Sequence, residues 1–105
     1  MYLIQMLLPV GSNAVDTATG LNRTQRELID RFGGVTAYLQ TPAKGQWADV
    51  NGTTTVDRVF LVEVVANEFD KHWWREYANA LATRFGQDVM HIRALRIELL
   101  DPVAA

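Results

Sequence analysis

Two stretches of this chain are apolar at nearly every position rather than at every second one. Val59-Phe60-Leu61-Val62-Glu63-Val64-Val65-Ala66 is broken only by Glu63, and Tyr2-Leu3-Ile4-Gln5-Met6-Leu7-Leu8 only by Gln5. A strand with one wet face alternates apolar and polar residues, because successive side chains point to opposite sides of the sheet. These two read as strands of a sheet covered on both faces. The strand ending at Ala66 begins near Thr53 and is β-branched through much of its length.

Two helical patterns accompany them. Leu28, Ile29 and Phe32 form a short apolar stripe, with Asn22 or Thr24 as cap, Thr24-x-x-Glu27 at capping-box spacing, and Gly33 as a left-handed stop. Asp70 opens a clearer helix, in which Trp74, Tyr77, Ala78, Leu81 and Phe85 recur at helical spacing before Gly86 ends it. Between the helices, Val35 to Gln40 alternates as a strand, and Thr41-Pro42-Ala43-Lys44-Gly45 breaks it. Gln46 to Val50 extends again, and Asn51-Gly52 has the composition of a type I′ hairpin turn. Met90 to Leu100 reads as the last strand, with a shift of apolar phase that suggests a bulge near Ala94. Val10 to Leu21, rich in small and polar residues, reads as a long loop, and Asp101 to Ala105 as a tail.

The resulting order is βαββαβ. With right-handed crossovers it gives an α+β, ferredoxin-like domain over residues 1–105, a four-stranded antiparallel sheet in the order 4-1-3-2 with both helices on one face. The helix side takes Ile4, Met6, Leu8, Val35, Ala37, Leu39, Phe60, Val62, Val64, Met90, Ile92 and Ala94. The other face then holds Leu3, Leu7, Val59, Leu61 and Val65 around a polar minority of Gln5, Thr36, Tyr38, Glu63, His91 and Arg93. An apolar face of that size calls for a cover, most simply a second copy in a sheet-to-sheet homodimer. Gln5, Tyr38, Glu63, His91 and Arg93 are the candidate ligand and interface cluster. They have two readings: groups converging on a small molecule, or an ion pair of Glu63 with Arg93 of either chain that sets the register.

Composition narrows the field. The 105 residues include 10 Lys and Arg, 12 Asp and Glu and no Cys. That excludes disulfides and cysteine nucleophiles, and the net charge of −2 offers no attraction to nucleic acid or anionic membranes. RNA-binding modules of this topology carry aromatics on the open face, where this chain has Val59, Leu61, Glu63 and Val65. No membrane span, signal peptide or cofactor motif is read, so the expectation is a cytoplasmic protein without cofactor or metal. His72 and Glu76 share a helix face, and only Asp70 is near enough in sequence to be a third ligand, one short of a convincing metal site. Ser12 stands in no nucleophile motif. Trp74 belongs to the apolar stripe, whereas Trp73 and Trp47 read as packing residues or as walls of a pocket.

The string Phe32-Gly33-Gly34-Val35-Thr36, then Gly45-Gln46-Trp47, a valine-rich strand and Trp73-Trp74 resembles a group of small uncharacterised bacterial proteins. The resemblance implies a bacterial origin and brings no activity or catalytic residues with it. Function therefore stays between three classes. The first is a dimeric ferredoxin-like protein that binds a small ligand or has none. The second is a small cofactor-independent enzyme of the dimeric α+β barrel kind, acting on an apolar or aromatic molecule through His91 or Glu63. The third is a subunit of a larger complex that makes contact through residues 10–21.

Overall fold

The βαββαβ order is realised in a computed structural model that describes residues 1–9, 14–48, 51–52 and 54–100. Its elements are β1 (Tyr2–Pro9), α1 (Ala14–Phe32), β2 (Thr36–Ala48), β3 (Thr54–Ala66), α2 (Lys71–Phe85) and β4 (Ile92–Arg96). The strands form one sheet in the order β2-β3-β1-β4, and every pairing is antiparallel.

Ile4, Met6 and Leu8 of β1 are fully buried while their neighbours are only half-buried. They meet Val62 and Val64 of β3, Leu21 and Leu28 of α1, and Trp74 and Leu81 of α2 in one core. Val35, Ala37, Phe60, Ile92 and Ala94 pack on its margin, as the sequence places them. Each fully buried side chain of this size contributes about 1.5–3 kcal/mol. Leu39 is 36% exposed, on an edge strand at the point where the register against β3 begins to slip.

The caps of α2 follow the sequence. Asp70 accepts from the backbone N–H of Trp73 at 3.1 Å. Gly86 takes a left-handed conformation, φ 65°, and Gln87 N–H bonds back to Ala82 at 2.8 Å in a Schellman closure. Gly33, at φ 83°, ends α1 in the same handedness.

The helix α1 corrects one expectation. It begins at Ala14, within the stretch read as a 10–21 loop, and runs 19 residues. Its inward side is Leu21, Thr24 and Leu28. Gly20, a breaker by composition, lies where a Cβ would come within 3.1 Å of the Phe85 ring, so its bare backbone admits α2. Neither Asn22 nor Thr24 is a cap. Thr24 is fully buried in mid-helix, and its hydroxyl donates to the Gly20 carbonyl at 2.8 Å.

Three further differences concern the sheet. The strand β2 is not ended by Thr41-Pro42 but continues to Ala48. The register slips between Tyr38 and Ala43, five positions on β2 against two on β3. Because β2 is an edge strand and the slip breaks the ladder, a proline with no N–H is tolerated there. Ala48 and Thr54 are the last pair of the hairpin, so the connection has five residues. Gly52 alone of Asn51-Gly52 has positive φ, which is not a type I′ turn. Finally, β4 is confined to Ile92–Arg96 and keeps one register against β1, without a bulge at Ala94. The residues 10–13 and 101–105, read as loop and tail, lie outside the described residues.

Candidate functional site

With Ile4, Met6 and Leu8 turned to the helices, Leu3, Gln5 and Leu7 project from the opposite face. Register then arranges that face in rows. Leu95, Leu3 and Val65 stand side by side across β4, β1 and β3. The next row is Arg93, Gln5, Glu63 and Thr36, crossing all four strands. Beyond it lie Leu7, Leu61 and Tyr38. A polar row thus runs between two leucine-bearing ones. Val65, Leu95 and Tyr38 are 40%, 47% and 50% exposed, and Leu3, Leu7 and Leu61 are half-buried.

Hydrogen bonds join the polar row from Arg93 to Glu63. Arg93 Nε donates to Gln5 Oε1 at 2.7 Å. Gln5 Nε2 donates to Glu63 Oε2 at 2.7 Å. Tyr38 Oη, from the neighbouring row, donates to the other oxygen, Oε1, at 2.8 Å. Four of the five candidate residues therefore form one relay across four strands. Directly opposite residues on antiparallel strands have Cβ atoms about 4.5–5.5 Å apart, close enough for a short amide to bridge. Glu63 and Arg93 do not meet within the chain, because Gln5 stands between them. The bond to Glu63, and then its negative charge, raise the pKa of the exposed Tyr38 above its ordinary 10.0.

The fifth residue, His91, lies just before β4, where its carbonyl accepts from Leu7 N–H at 3.2 Å. Its side chain lines a cleft of about 150 Å³ with Leu7, Pro9, Val59, Gln87, Val89 and Met90. The relay and this cleft share the open face, with Leu7 standing at the edge of both.

Two features escaped the sequence reading. The first is a charged lock between the helices. Arg84 holds Glu27 through two bonds, Nη1 to Oε1 at 2.6 Å and Nη2 to Oε2 at 3.1 Å, and also donates to Thr24 Oγ1 at 2.8 Å. Tyr77 donates to the same carboxylate at 3.1 Å. The bonds from Arg84 hold the Glu27 carboxyl below its ordinary 4.5, despite partial burial. Burial, with the charge of Glu27, pushes the Tyr77 phenol up to about 12. The chief partner of Glu27 comes from α2, 57 residues on, while Arg23 of its own helix stands farther off at 3.8 Å.

The second is an aromatic nest at the start of α2. Trp73 is held between the Arg31 guanidinium, 4.1 Å from its ring centre, and the Tyr77 ring at 4.8 Å. Phe32 stacks on Trp74 at 5.3 Å. Trp74 is 3% exposed and belongs to the core, whereas Trp73 lines an open cleft of about 580 Å³ with Arg31, Glu68 and Asp70. The Trp47 side chain lies outside what is described.

His72 and Glu76 pair at 3.3 Å on the exposed side of α2. Among the described residues, no three His, Cys, Asp or Glu side chains come together as metal ligands, and no helix is long and apolar enough to cross a membrane.

No protein-family model and no curated protein matches this chain. Solved structures do. The divalent cation tolerance protein Cut A1 of Thermus thermophilus superposes with a TM-score of 0.61 at 14% identity, covering 96% of this chain and 88% of that one. CutA of Pyrococcus horikoshii, crystallised in guanidine hydrochloride, gives 0.59 at 10% identity, covering 96% and 88%. At such identities the likeness speaks of architecture, and the chain is a small α+β protein of the ferredoxin-like fold shared with these CutA structures.

Proposed function

We propose that this chain works as a homodimer that pairs the open faces of its sheet, with Gln5, Tyr38, Glu63, His91 and Arg93 as the interface cluster. One observation carries the reading: a sheet face bearing Leu3, Leu7, Leu61, Val65 and Leu95, opposite the one on which the described helices pack, has a hydrogen-bonded polar row through its middle. An apolar face favours burial, and polar groups buried with it must already hold partners. Both oxygens of Glu63 are engaged, by Gln5 and Tyr38, which suits a group that fixes register better than one that moves protons. On the sequence reading alone we place the protein in the bacterial cytoplasm.

The test is Leu61→Lys, which puts a charge among the leucines. The reading predicts a folded monomer in place of a dimer. An unchanged mass with unchanged stability would contradict it.

A second reading, a small cofactor-independent enzyme, is favoured by the cleft at His91, where an imidazole stands among Leu7, Pro9, Val59, Val89 and Met90. A thermal-shift screen of small aromatic molecules tests it. A saturable shift lost in His91→Ala supports it, and a screen without any shift argues against it. The cation tolerance named for the Thermus protein is not carried over, since the described residues bring no three metal-ligating side chains together.

A further inference from the structure

The polar row has a direction. From β4 to β3 it reads guanidinium, amide, carboxylate: Arg93, Gln5, Glu63, on neighbouring strands in one line of register. Two copies of one face can be stacked by a two-fold axis in the plane between them, and the row tells two such axes apart. With the axis along the row, across the strands, every residue faces its own copy. Arg93 then lies over the partner's Arg93 and Glu63 over the partner's Glu63, like charges withdrawn from water together. With the axis along β1, the row is reversed in the partner. Arg93 then faces the partner's Glu63, twice by symmetry, and Gln5 faces its own copy.

The leucine rows do not decide between the two. Along β1, Leu3 meets the partner's Leu3, Leu7 the partner's Leu7, and Val65 the partner's Leu95. Across the strands, Leu3 meets the partner's Leu7. Both are apolar on apolar. The charges decide, and their geometry leaves capacity for it. The bond from Arg93 to Gln5 uses Nε, leaving the terminal nitrogens outside it, and each Glu63 oxygen accepts one described bond of the two it can take.

Resting on the dimer proposed above, we infer that the partner is a second copy related by a two-fold axis parallel to β1, with two reciprocal Arg93–Glu63 pairs flanking the axis. The row Arg93–Gln5–Glu63 is then a self-complementary code. A like-charged arrangement is excluded by repulsion, and slippage along the strand is penalised because it lays a charge on leucine. The strands of the two sheets run in the same direction, crossing at the small angle that sheet twist imposes.

Cross-linking at sites outside the polar row tests this. The chain has no cysteine, so each introduced thiol is unique. The reagent is a bifunctional thiol linker spanning the roughly 10 Å between stacked sheets. Leu3→Cys is expected to cross-link with itself into a dimer band, as is Leu7→Cys, which serves if the first variant folds poorly. Val65→Cys is expected to cross-link only when mixed with Leu95→Cys. If the native mass is dimeric but Leu3→Cys cross-links only when mixed with Leu7→Cys, the axis is wrong and the sheet-to-sheet dimer stands. A monomeric native mass overturns the dimer and this inference with it.

Discussion

Gln5 donates its side-chain amide to Glu63 at 2.7 Å, between residues that face each other directly on β1 and β3. The same amide accepts from Arg93 on the other side. One neutral side chain thus separates two opposite charges while wiring them together, between rows that carry leucine, valine and Tyr38.

Replacing Gln5 by Leu tests this bridge. The fold is expected to survive, since the residue lies on the face away from the core, and far-UV circular dichroism should be unchanged. The dimer is expected to weaken at least tenfold in its dissociation constant, about 1.4 kcal/mol, because two charges then enter the interface without their common partner. Sedimentation over a dilution series measures it.

Arg84 is the residue whose loss should cost the monomer most among the polar ones. Its side chain is 12% exposed and grips Glu27 with two bonds and Thr24 with a third. Arg84→Met is expected to lose about 1–3 kcal/mol by urea denaturation, since a partly buried carboxylate keeps only the bond from Tyr77 and the more distant Arg23, 3.8 Å away. Arg84→Lys should recover part of that, because a single ammonium cannot reproduce the planar fork.

Stability should fall at both ends of the pH scale through this one cluster. Glu27, bonded to Arg84, has its folded pKa below the ordinary 4.5. Its contribution is therefore present above 4.5 and is lost as pH drops through the folded value. Tyr77 has its folded pKa raised to about 12 from 10.0, by burial first and the charge of Glu27 next. Its contribution is complete below 10 and is lost as pH climbs toward 12. Urea midpoints across pH should show Glu27→Gln less stable than the parent at neutral pH, with the gap closing in acid. Ultraviolet titration should show the Tyr77 phenol ionising late in the folded protein.

Asp70→Ala removes the acceptor for the Trp73 N–H at the start of α2. About 1 kcal/mol of stability is expected to go with it. Gly86→Ala should cost a similar amount, through the positive φ of 65° rather than through a clash, since nothing lies within 4 Å of the added methyl. Thermal unfolding of both variants checks the pair.

The parts of this fold legible in the sequence are those that local chemistry decides. Asp70, Gly86 and Gly33 mark helix ends because capping needs only neighbours in the chain. The doubly apolar first and third strands reveal a sheet that is apolar on both faces, since successive side chains point to opposite sides, and Gln5 and Glu63 stand out as their polar interruptions. What was hidden depends on partners remote in sequence. Gly20 looks like a breaker until Phe85 is seen to lie against it. Thr24 has the spacing of a cap, yet its hydroxyl is buried in mid-helix, donating to the Gly20 carbonyl and accepting from the remote Arg84. Pro42 reads as a strand end, although at an edge with slipped register its missing N–H costs nothing. The grip of Arg31 on Trp73 joins the end of one helix to the start of the other.

The absolute mass in solution, by light scattering on a sizing column across a wide concentration range, tests the account most directly. It predicts twice the chain mass, held on dilution in the parent and lost in Leu61→Lys. A parent that stays at the mass of one chain at every concentration would contradict it.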